Sequence, residues 1–289
     1  MLMSVKKILV TGANGQLGNE CRQLAQHFNG VDFVFTDVEE LSITDELAIE
    51  KIFAQNHFDC CINAAAYTAV DNAEKDKETA YEINANAVGY LATACKKYNC
   101  KLIHISTDYV FDGEKENGYL EEDTTGPINI YGSSKLLGEQ LALENNPQTI
   151  VIRTSWVYSY FGKNFVKTMM KLMQERPEIS VVSDQIGKPT YAADLASAIF
   201  KIIFSSSDFK PGMYHYSNKE VISWYDFALA INEIGNYNCQ VNPIPSSAYP
   251  VPAKRPHYSV LITDKIESVY GIDIPQWKES LKKCMQLLS

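Results

Sequence analysis

The sequence contains no apolar run approaching the ~20 residues that cross a bilayer, no block of basic residues, and no Cys-x-x-Cys or His-paired cysteine spacing. The first absence removes a membrane-spanning helix from consideration. The second, with a formal net charge of −9, argues against a nucleic-acid or anionic-membrane partner, because clustered Lys and Arg hold both. The third leaves Cys21, Cys60, Cys61, Cys95, Cys100, Cys239 and Cys284 without a metal or disulfide pattern. Odd in number and with two adjacent, they read as reduced, mostly buried thiols of a reducing compartment. Met1 to Lys7 runs straight into a strand-like segment and leaves no room for a signal peptide, so the cytoplasm is expected. Repeats and low-complexity tracts are also missing. What remains, with 46% hydrophobic and 21% charged residues, has the composition of an ordinary globular chain large enough for one big or two modest domains.

The clearest positive signal lies at the start. Val5 to Val10 reads as a strand, and Thr11-Gly12-Ala13-Asn14-Gly15-Gln16-Leu17-Gly18 follows at once. In a chain with 15 glycines, three at this spacing rarely arise by chance between a strand and an amphipathic run (Leu17, Cys21, Leu24, Phe28). Such glycines allow a tight turn and let backbone amides approach a pyrophosphate at a helix N-terminus. Val31 to Thr36 forms a second strand, ending in Asp37. That carboxylate stands where an acid meets the adenosine ribose hydroxyls, roughly 20 residues past the turn. Glu39 and Glu40 follow; three acids repel a 2′-phosphate and favour NADH over NADPH. Thr44 is the N-cap expected for the next helix. A strand from Phe58 to Ile62 then runs into Asn63-Ala64-Ala65-Ala66-Tyr67, whose small side chains allow close passage beside a cofactor.

A helical pattern covers Lys77 to Tyr98 and carries Asn84. Lys101 to Ile105 is a buried strand with Ser106-Thr107-Asp108 at its C-terminal end, the sheet edge where ligands bind in open α/β folds. A hydroxyl there can donate to a carbonyl oxygen as charge develops on it. After a turn-rich loop comes Tyr131-Gly132-Ser133-Ser134-Lys135. If helical, it sets Tyr131 and Lys135 on one face at i and i+4, where the cation is expected to lower the phenol pKa and make Tyr131 a proton donor near neutral pH. The spacing alone is weak evidence, since 17 tyrosines in a lysine-rich chain yield roughly one such pair by chance. Its position after Thr107 is what gives it weight.

Gln148 to Arg153 supplies one more strand, and the alternation of strands and helices predicts an α/β fold with a doubly wound parallel sheet. Beyond it come an aromatic loop (Trp156 to Gly162), a helix to Arg176, a strand at Ile179 to Val182, a polar turn from Asp184 to Thr190, and a helix from Tyr191 to Phe204. A proline-punctuated stretch and two short helices complete the chain. These features predict a cofactor domain over residues 1–155 plus a returning segment at about 179–205. A smaller, discontinuous substrate lobe takes about 156–178 and 206–289.

With the glycine turn, Ser106-Thr107, Tyr131 and Lys135 in this order, the chain resembles the extended short-chain dehydrogenase/reductases, which implies a Rossmann-like sheet. Within them, Ser106-Thr107-Asp108-Tyr109-Val110-Phe111-Asp112-Gly113, Asn129-Ile130-Tyr131-Gly132, Arg153-Thr154-Ser155-Trp156-Val157-Tyr158, Asp184-Gln185 with Gly187 and Pro189-Thr190, and Arg255-Pro256 resemble the dTDP-4-dehydrorhamnose reductase family. The resemblance implies reduction of the C4 ketone of dTDP-4-dehydro-L-rhamnose to dTDP-L-rhamnose, a surface-polysaccharide precursor, by NADH or NADPH. It implies catalytic roles for Tyr131, Lys135 and Thr107, and cofactor contacts from Gly12, Gly15, Gln16, Leu17, Gly18, Asp37, Ile43, Ala64, Ala65, Ala66, Tyr131 and Lys135. Substrate contacts fall to Thr107, Asp108, Trp156 and Arg255, whose guanidinium suits a diphosphate. A homodimer is one assembly open to it. Some members are reported with a divalent metal such as Mg²⁺, but no ligand cluster here requires one. Ser42 stands where members usually carry an aspartate. Two alternatives remain: a nucleotide-sugar epimerase or dehydratase of the same superfamily, and a non-catalytic subunit similar to the methionine adenosyltransferase regulatory subunit. Tyr109, where dehydratases usually place an acid, and the retained Arg153 to Tyr158 segment favour the reductase.

Overall fold

The computed structural model describes residues 6–204 and 209–288. Val5, expected to open the first strand, lies outside them, as do the 205/206 boundary of the expected lobe and Ser289. The chain begins β1 (Lys7–Thr11), α1 (Gln16–Ala25), β2 (Asp32–Thr36), α2 (Glu46–Gln55) and β3 (Cys60–Asn63), and continues to β4 (Lys101–Thr107) and β5 (Thr149–Thr154). With the edge strand Gly212–His215 they form one sheet in the order Gly212–His215, β5, β4, β3, β1, β2. Every pairing in it is parallel. The expected doubly wound α/β fold is therefore present. The order reverses between β2–β1 and β1–β3, and the crevice beyond the C-terminal ends of β1 and β3 is the usual ligand site of such sheets.

Parallel strands covered by helices on both faces need apolar residues at consecutive positions, and these strands have them. Alternate side chains part between two cores. Ile8, Val10, Ile62, Ile103, Ile150 and Ile152 pack with α1 and the helix Ala192–Phe204, whereas Leu9, Cys61, Leu102 and Val151 pack with α2 and the helix Ala87–Lys97. All seven cysteines are buried and unpaired. Among the described residues no helix is long and apolar enough to cross a membrane.

A third core joins Tyr158, Val166, Met169, Ile179, Phe227 and Trp277 outside the sheet. It holds the helices Phe165–Glu175, Trp224–Ile234 and Trp277–Gln286. Two expectations differ here. Glu178–Val182 does not return to the sheet but pairs with Gln240–Ile244, because Ile179 and Val181 have their apolar partners in this third core. Conversely, Gly212–His215, expected in the lobe, closes the sheet against β5. The helix Trp224–Ile234 was not foreseen, although Ser223 and Asp226 form a capping box of recognisable sequence pattern. The cap of α2 is Asp45, whose carboxylate accepts from the Ala48 amide at 3.0 Å, one residue beyond the expected Thr44.

The long helix expected from Lys77 is interrupted. Lys77–Tyr81 and Ala87–Lys97 are α-helical, and Glu82–Asn86 between them is a π turn. The widened turn is occupied. Asn84 accepts from the Tyr67 amide at 2.9 Å and donates to Ser134 Oγ at 3.0 Å. Gly138 lets the helix Ile130–Asn145 close on this turn, since a Cβ there would stand 2.0 Å from the Asn84 carbonyl oxygen. The π turn therefore grips the helix that carries Tyr131.

Candidate active site

A cavity of about 960 Å³ runs along the C-terminal edge of the sheet, from the glycine turn to Tyr131, within the size range of small-molecule sites. Gly12, Gly15, Gln16, Leu17, Asp37, Ile43, Ala64, Ala65 and Ala66 line one end, and Thr107, Asp108, Tyr131, Lys135 and Trp156 the other. Of the expected catalytic, cofactor and substrate contacts, Gly18 and Arg255 do not line it.

The turn is built by close backbone approach. Gly12 has φ +65°, and a Cβ on it would lie 2.5 Å from the Ala65 amide nitrogen. Gly15 is the N-cap of α1 and no side chain caps the helix, which leaves its first amides free for an anion. Gly18 sits behind the loop, where a Cβ would meet the Gly12 carbonyl oxygen at 2.4 Å. Its role is to let helix and turn touch. Asp37 directly follows β2 and accepts from the Asn14 amide at 2.8 Å. Only Asp37 of the three acids lines the cavity; Glu40 turns back to accept from the Asp37 amide at 2.9 Å. Ser42 also lines it, with its hydroxyl 2.9 Å from Thr44 Oγ1.

Tyr131 and Lys135 do share a face of the helix Ile130–Asn145. Asn129 fixes its start by accepting from the Gly132 amide at 2.7 Å and donating to the Lys254 carbonyl at 2.8 Å. Arg153 of β5 holds the same helix through a buried two-point ion pair with Glu139, at 2.9 and 2.7 Å. The electrostatics differ from expectation. Burial pushes the Tyr131 phenol up to about 12; the Thr107 hydroxyl pulls it down and the Asp108 charge pushes it further up. Lys135 is not among the groups that move it in the free protein. Its amine is buried, points at the Ile105 carbonyl at 2.7 Å, and is itself depressed to about 8 by desolvation. Asp108 is raised to about 6 by burial, with the Ser259 and Thr107 hydroxyls opposing. Thr107 Oγ1 donates to Asp108 Oδ1 at 3.0 Å.

The third core closes the far end. Trp156, at φ +48°, stacks on Trp224 with ring centroids 3.7 Å apart. Gly187 makes room for it, since a Cβ there would meet the indole at 2.8 Å. Trp224 also lines the cavity, and the sequence reading missed it along with its helix. Gln16 links the halves: it donates to the Val157 carbonyl at 3.4 Å and accepts from Asn164 at 2.9 Å. Arg255 is held instead by Asp71, with two bonds of 3.0 and 2.8 Å. Two polar residues beneath the floor were also missed, Asn63 and His104, both fully buried. His104 was legible as the one imidazole among the apolar residues Leu102 to Ile105.

These residues suit a dinucleotide. The cradle at Gly12 admits no Cβ, Gly15, Gln16 and Leu17 at the uncapped start of α1 line the cavity, and the buried Ser106 hydroxyl on the cavity wall has no partner among the described residues. No group of three or more His, Cys, Asp or Glu is placed to hold a metal among the described residues. A parallel sheet with a glycine-turn cradle and a tyrosine–lysine helix at its edge defines a nucleotide-cofactor oxidoreductase of the Rossmann type. Comparison with known proteins narrows this. Residues 6–289 match the family described as the RmlD substrate binding domain. The chain is 41% identical over 285 residues to the dTDP-4-dehydrorhamnose reductase of Aggregatibacter actinomycetemcomitans, covering 96% of this chain and 97% of that one. It is 42% identical to the spore coat polysaccharide biosynthesis protein SpsK of Bacillus subtilis, covering 97% of each. The crystal structure of dTDP-4-dehydrorhamnose reductase from Bacillus anthracis in complex with NADP superposes with a TM-score of 0.92 at 40% identity, covering 98% of this chain and 99% of that one. The chain belongs to the dTDP-4-dehydrorhamnose reductase family.

Proposed function

We propose that this protein reduces the C4 ketone of dTDP-4-dehydro-L-rhamnose to dTDP-L-rhamnose, a precursor of surface polysaccharide. The observation that carries this reading is the placement of the Tyr131 phenol beside Thr107, one helical turn from Lys135, on the wall of the cavity that begins at the glycine turn. A reduced nicotinamide dinucleotide supplies the hydride. Gly12, Gly15, Gln16 and Leu17 hold its diphosphate, and Ala64, Ala65 and Ala66 let it pass close to the backbone. Tyr131 keeps its proton in the free enzyme, because burial raises its pKa, and gives that proton to the C4 oxygen as negative charge develops there. Thr107 turns its hydroxyl from Asp108 to the same oxygen. Trp156 and Trp224 offer an apolar face to the sugar ring. Arg255 reaches the substrate diphosphate only by leaving Asp71, so the ion pair is a resting contact on this reading.

Asp37 supports NADH as the preferred donor, since its carboxylate stands at the ribose end of the cradle. We divide the chain functionally into the sheet domain, which binds cofactor, and the third-core lobe, which binds sugar. The deciding assay follows absorbance at 340 nm with the dTDP-keto-sugar and either NADH or NADPH. Stoichiometric loss of absorbance is expected, faster at low concentration with NADH. Conversion without net consumption of reduced cofactor would replace the reductase with an epimerase. A clear NADPH preference would overturn only the role given to Asp37.

A further inference from the structure

The stretch from Ser159 to Asn164, which leads into the helix Phe165–Glu175, is laced to α1 as a strap. Ser159 Oγ donates to the buried Glu20 of α1 at 2.6 Å and accepts from the Phe161 amide at 3.0 Å. Asn164 caps the following helix by accepting from the Lys167 amide at 3.1 Å, and its Nδ2 donates to Gln16 Oε1 at 2.9 Å. Gln16 is the first residue of α1. Lys167 turns back to donate to the Tyr160 carbonyl at 3.0 Å. Between these anchors Gly162, at φ +63°, packs on the start of α1, since a Cβ there would stand 3.1 Å from Gln16 Cγ. Lys163 comes next. It is exposed, it lines the cavity, and its ammonium has no hydrogen-bond or ion-pair partner among the described residues.

Two lysines line the cavity, Lys135 buried on the Tyr131 helix and Lys163 beside the glycine that touches Gln16. The glycine turn itself carries no full positive charge. Gly12, Gly15, Gln16 and Leu17 bring backbone amides and the positive end of α1, worth roughly half an elementary charge. A diphosphate brings full negative charges to that end, in a chain whose formal net charge is −9. We propose that Lys163 is a cofactor-binding residue: the strap holds it at the start of α1, where its ammonium closes on the diphosphate of the dinucleotide. The proposal rests on the reading of the glycine turn as the dinucleotide cradle and adds to it a residue from the far side of the cavity. Lysine suits the task, because a compact charge on a flexible four-carbon stem reaches a phosphate oxygen without a fixed fork of partners. No existing pair has to break, whereas Arg255 must first leave Asp71. Arg255 also does not line the cavity, and the strap is fastened to α1, so the diphosphate that Lys163 meets is the cofactor's and not the sugar nucleotide's. The strap runs on into the third core through Val166. A dinucleotide gripped between α1 and Lys163 therefore bridges the sheet domain and the lobe.

Fluorescence titration of the full-length protein with NADH, and competition by ADP-ribose, test this directly, each at low and at raised salt. Lys163→Gln is expected to weaken both ligands by the same factor, about tenfold, the loss of one charge-assisted hydrogen bond. Because ADP-ribose keeps the diphosphate and lacks the nicotinamide, an equal loss locates the contact on the shared part. Affinity should also fall less steeply with salt in Lys163→Gln than in the unmodified protein, since one screened charge pair is gone. Lys163→Arg, which keeps the charge, should restore most of the binding, a rescue that a merely structural role would not give. Unchanged affinity for both ligands in Lys163→Gln would overturn the proposal. So would a loss confined to NADH, which would move the contact to the nicotinamide, or a raised KM for the nucleotide sugar with cofactor affinity intact, which would move it to the substrate diphosphate. If the dinucleotide binds with the stated dependence on Lys163 but the keto-sugar is not reduced, the functional reading falls and this assignment stands.

Discussion

The two ends of the cavity are made in different ways. At the glycine turn the walls are backbone: the close contact of Gly12 with Ala65, the uncapped start of α1, and the small Ala64 to Ala66 run. At the lobe end the walls are side chains, Trp156 stacked on Trp224 and Arg255 paired with Asp71. Lobe and sheet domain meet through such contacts as Gln16 with Val157 and Asn164. A backbone wall has no tolerance for an added atom and suits a part of a ligand that does not vary. Side-chain walls can be exchanged or released.

The contrast can be broken most severely at Gly12. Gly12→Ala combines a positive φ with a 2.5 Å clash against backbone, so dinucleotide binding measured by fluorescence titration should be lost, while Gly126, outside the left-handed region and with 3.5 Å to the nearest atom from an added Cβ, tolerates the same change. Next comes the ion pair that clamps the helix carrying Tyr131. Glu139→Ala leaves the buried Arg153 uncompensated, which costs about 3–5 kcal/mol in denaturant unfolding. Tyr131→Phe should lower turnover by ~10²-fold or more with dinucleotide affinity unchanged, since only the transferred proton is removed. Asp108 sharpens the electrostatics. Its folded pKa of about 6 lies above the ordinary 3.8, so the folded state binds the proton more tightly and stability falls as pH rises from about 4 to about 6. Asp108→Asn should flatten that slope in melting curves, the gap closing below pH ~4. The smallest effect belongs to the lobe. Arg255→Ala removes a partly exposed pair worth no more than about 1 kcal/mol. Asp71, which Arg255 holds below the usual carboxylate range, would lose that benefit, present above its unfolded pKa and fading as pH falls through its folded one. A KM rise for the nucleotide sugar without loss of cofactor affinity would place Arg255 on the substrate.

The same contrast decides what the sequence could reveal. Backbone sites leave compositional traces, glycines and alanines at fixed spacing, so the turn and the first three strands of the sheet were readable from residues 8 to 66. Tyr131 and Lys135 were readable as a pair because helical spacing is local. Their electrostatics were not, because the pKa values follow from burial and, for Tyr131, from Thr107 and Asp108, which arrive from the end of another strand. Arg255 looked available because nothing in the chain announces that Asp71, far away in sequence, holds it. Glu178–Val182 and Gly212–His215 exchanged domains because a short apolar strand fits either sheet until its partners are known.

The π turn at Glu82–Asn86 carries a consequence for anyone altering this protein. One surplus residue in a helix offsets everything after it by about 100°. The stretch ahead of the bulge and the stretch behind it thus aim their faces at different neighbours, Asn84 at Ser134 and Tyr67, Val88, Leu91 and Cys95 at the sheet. Trimming that surplus would yield a smoother coil able to satisfy only one of these obligations. The irregularity is a rotational adapter, and the helix carrying Tyr131 is seated on the turn that a straightened helix would rotate away.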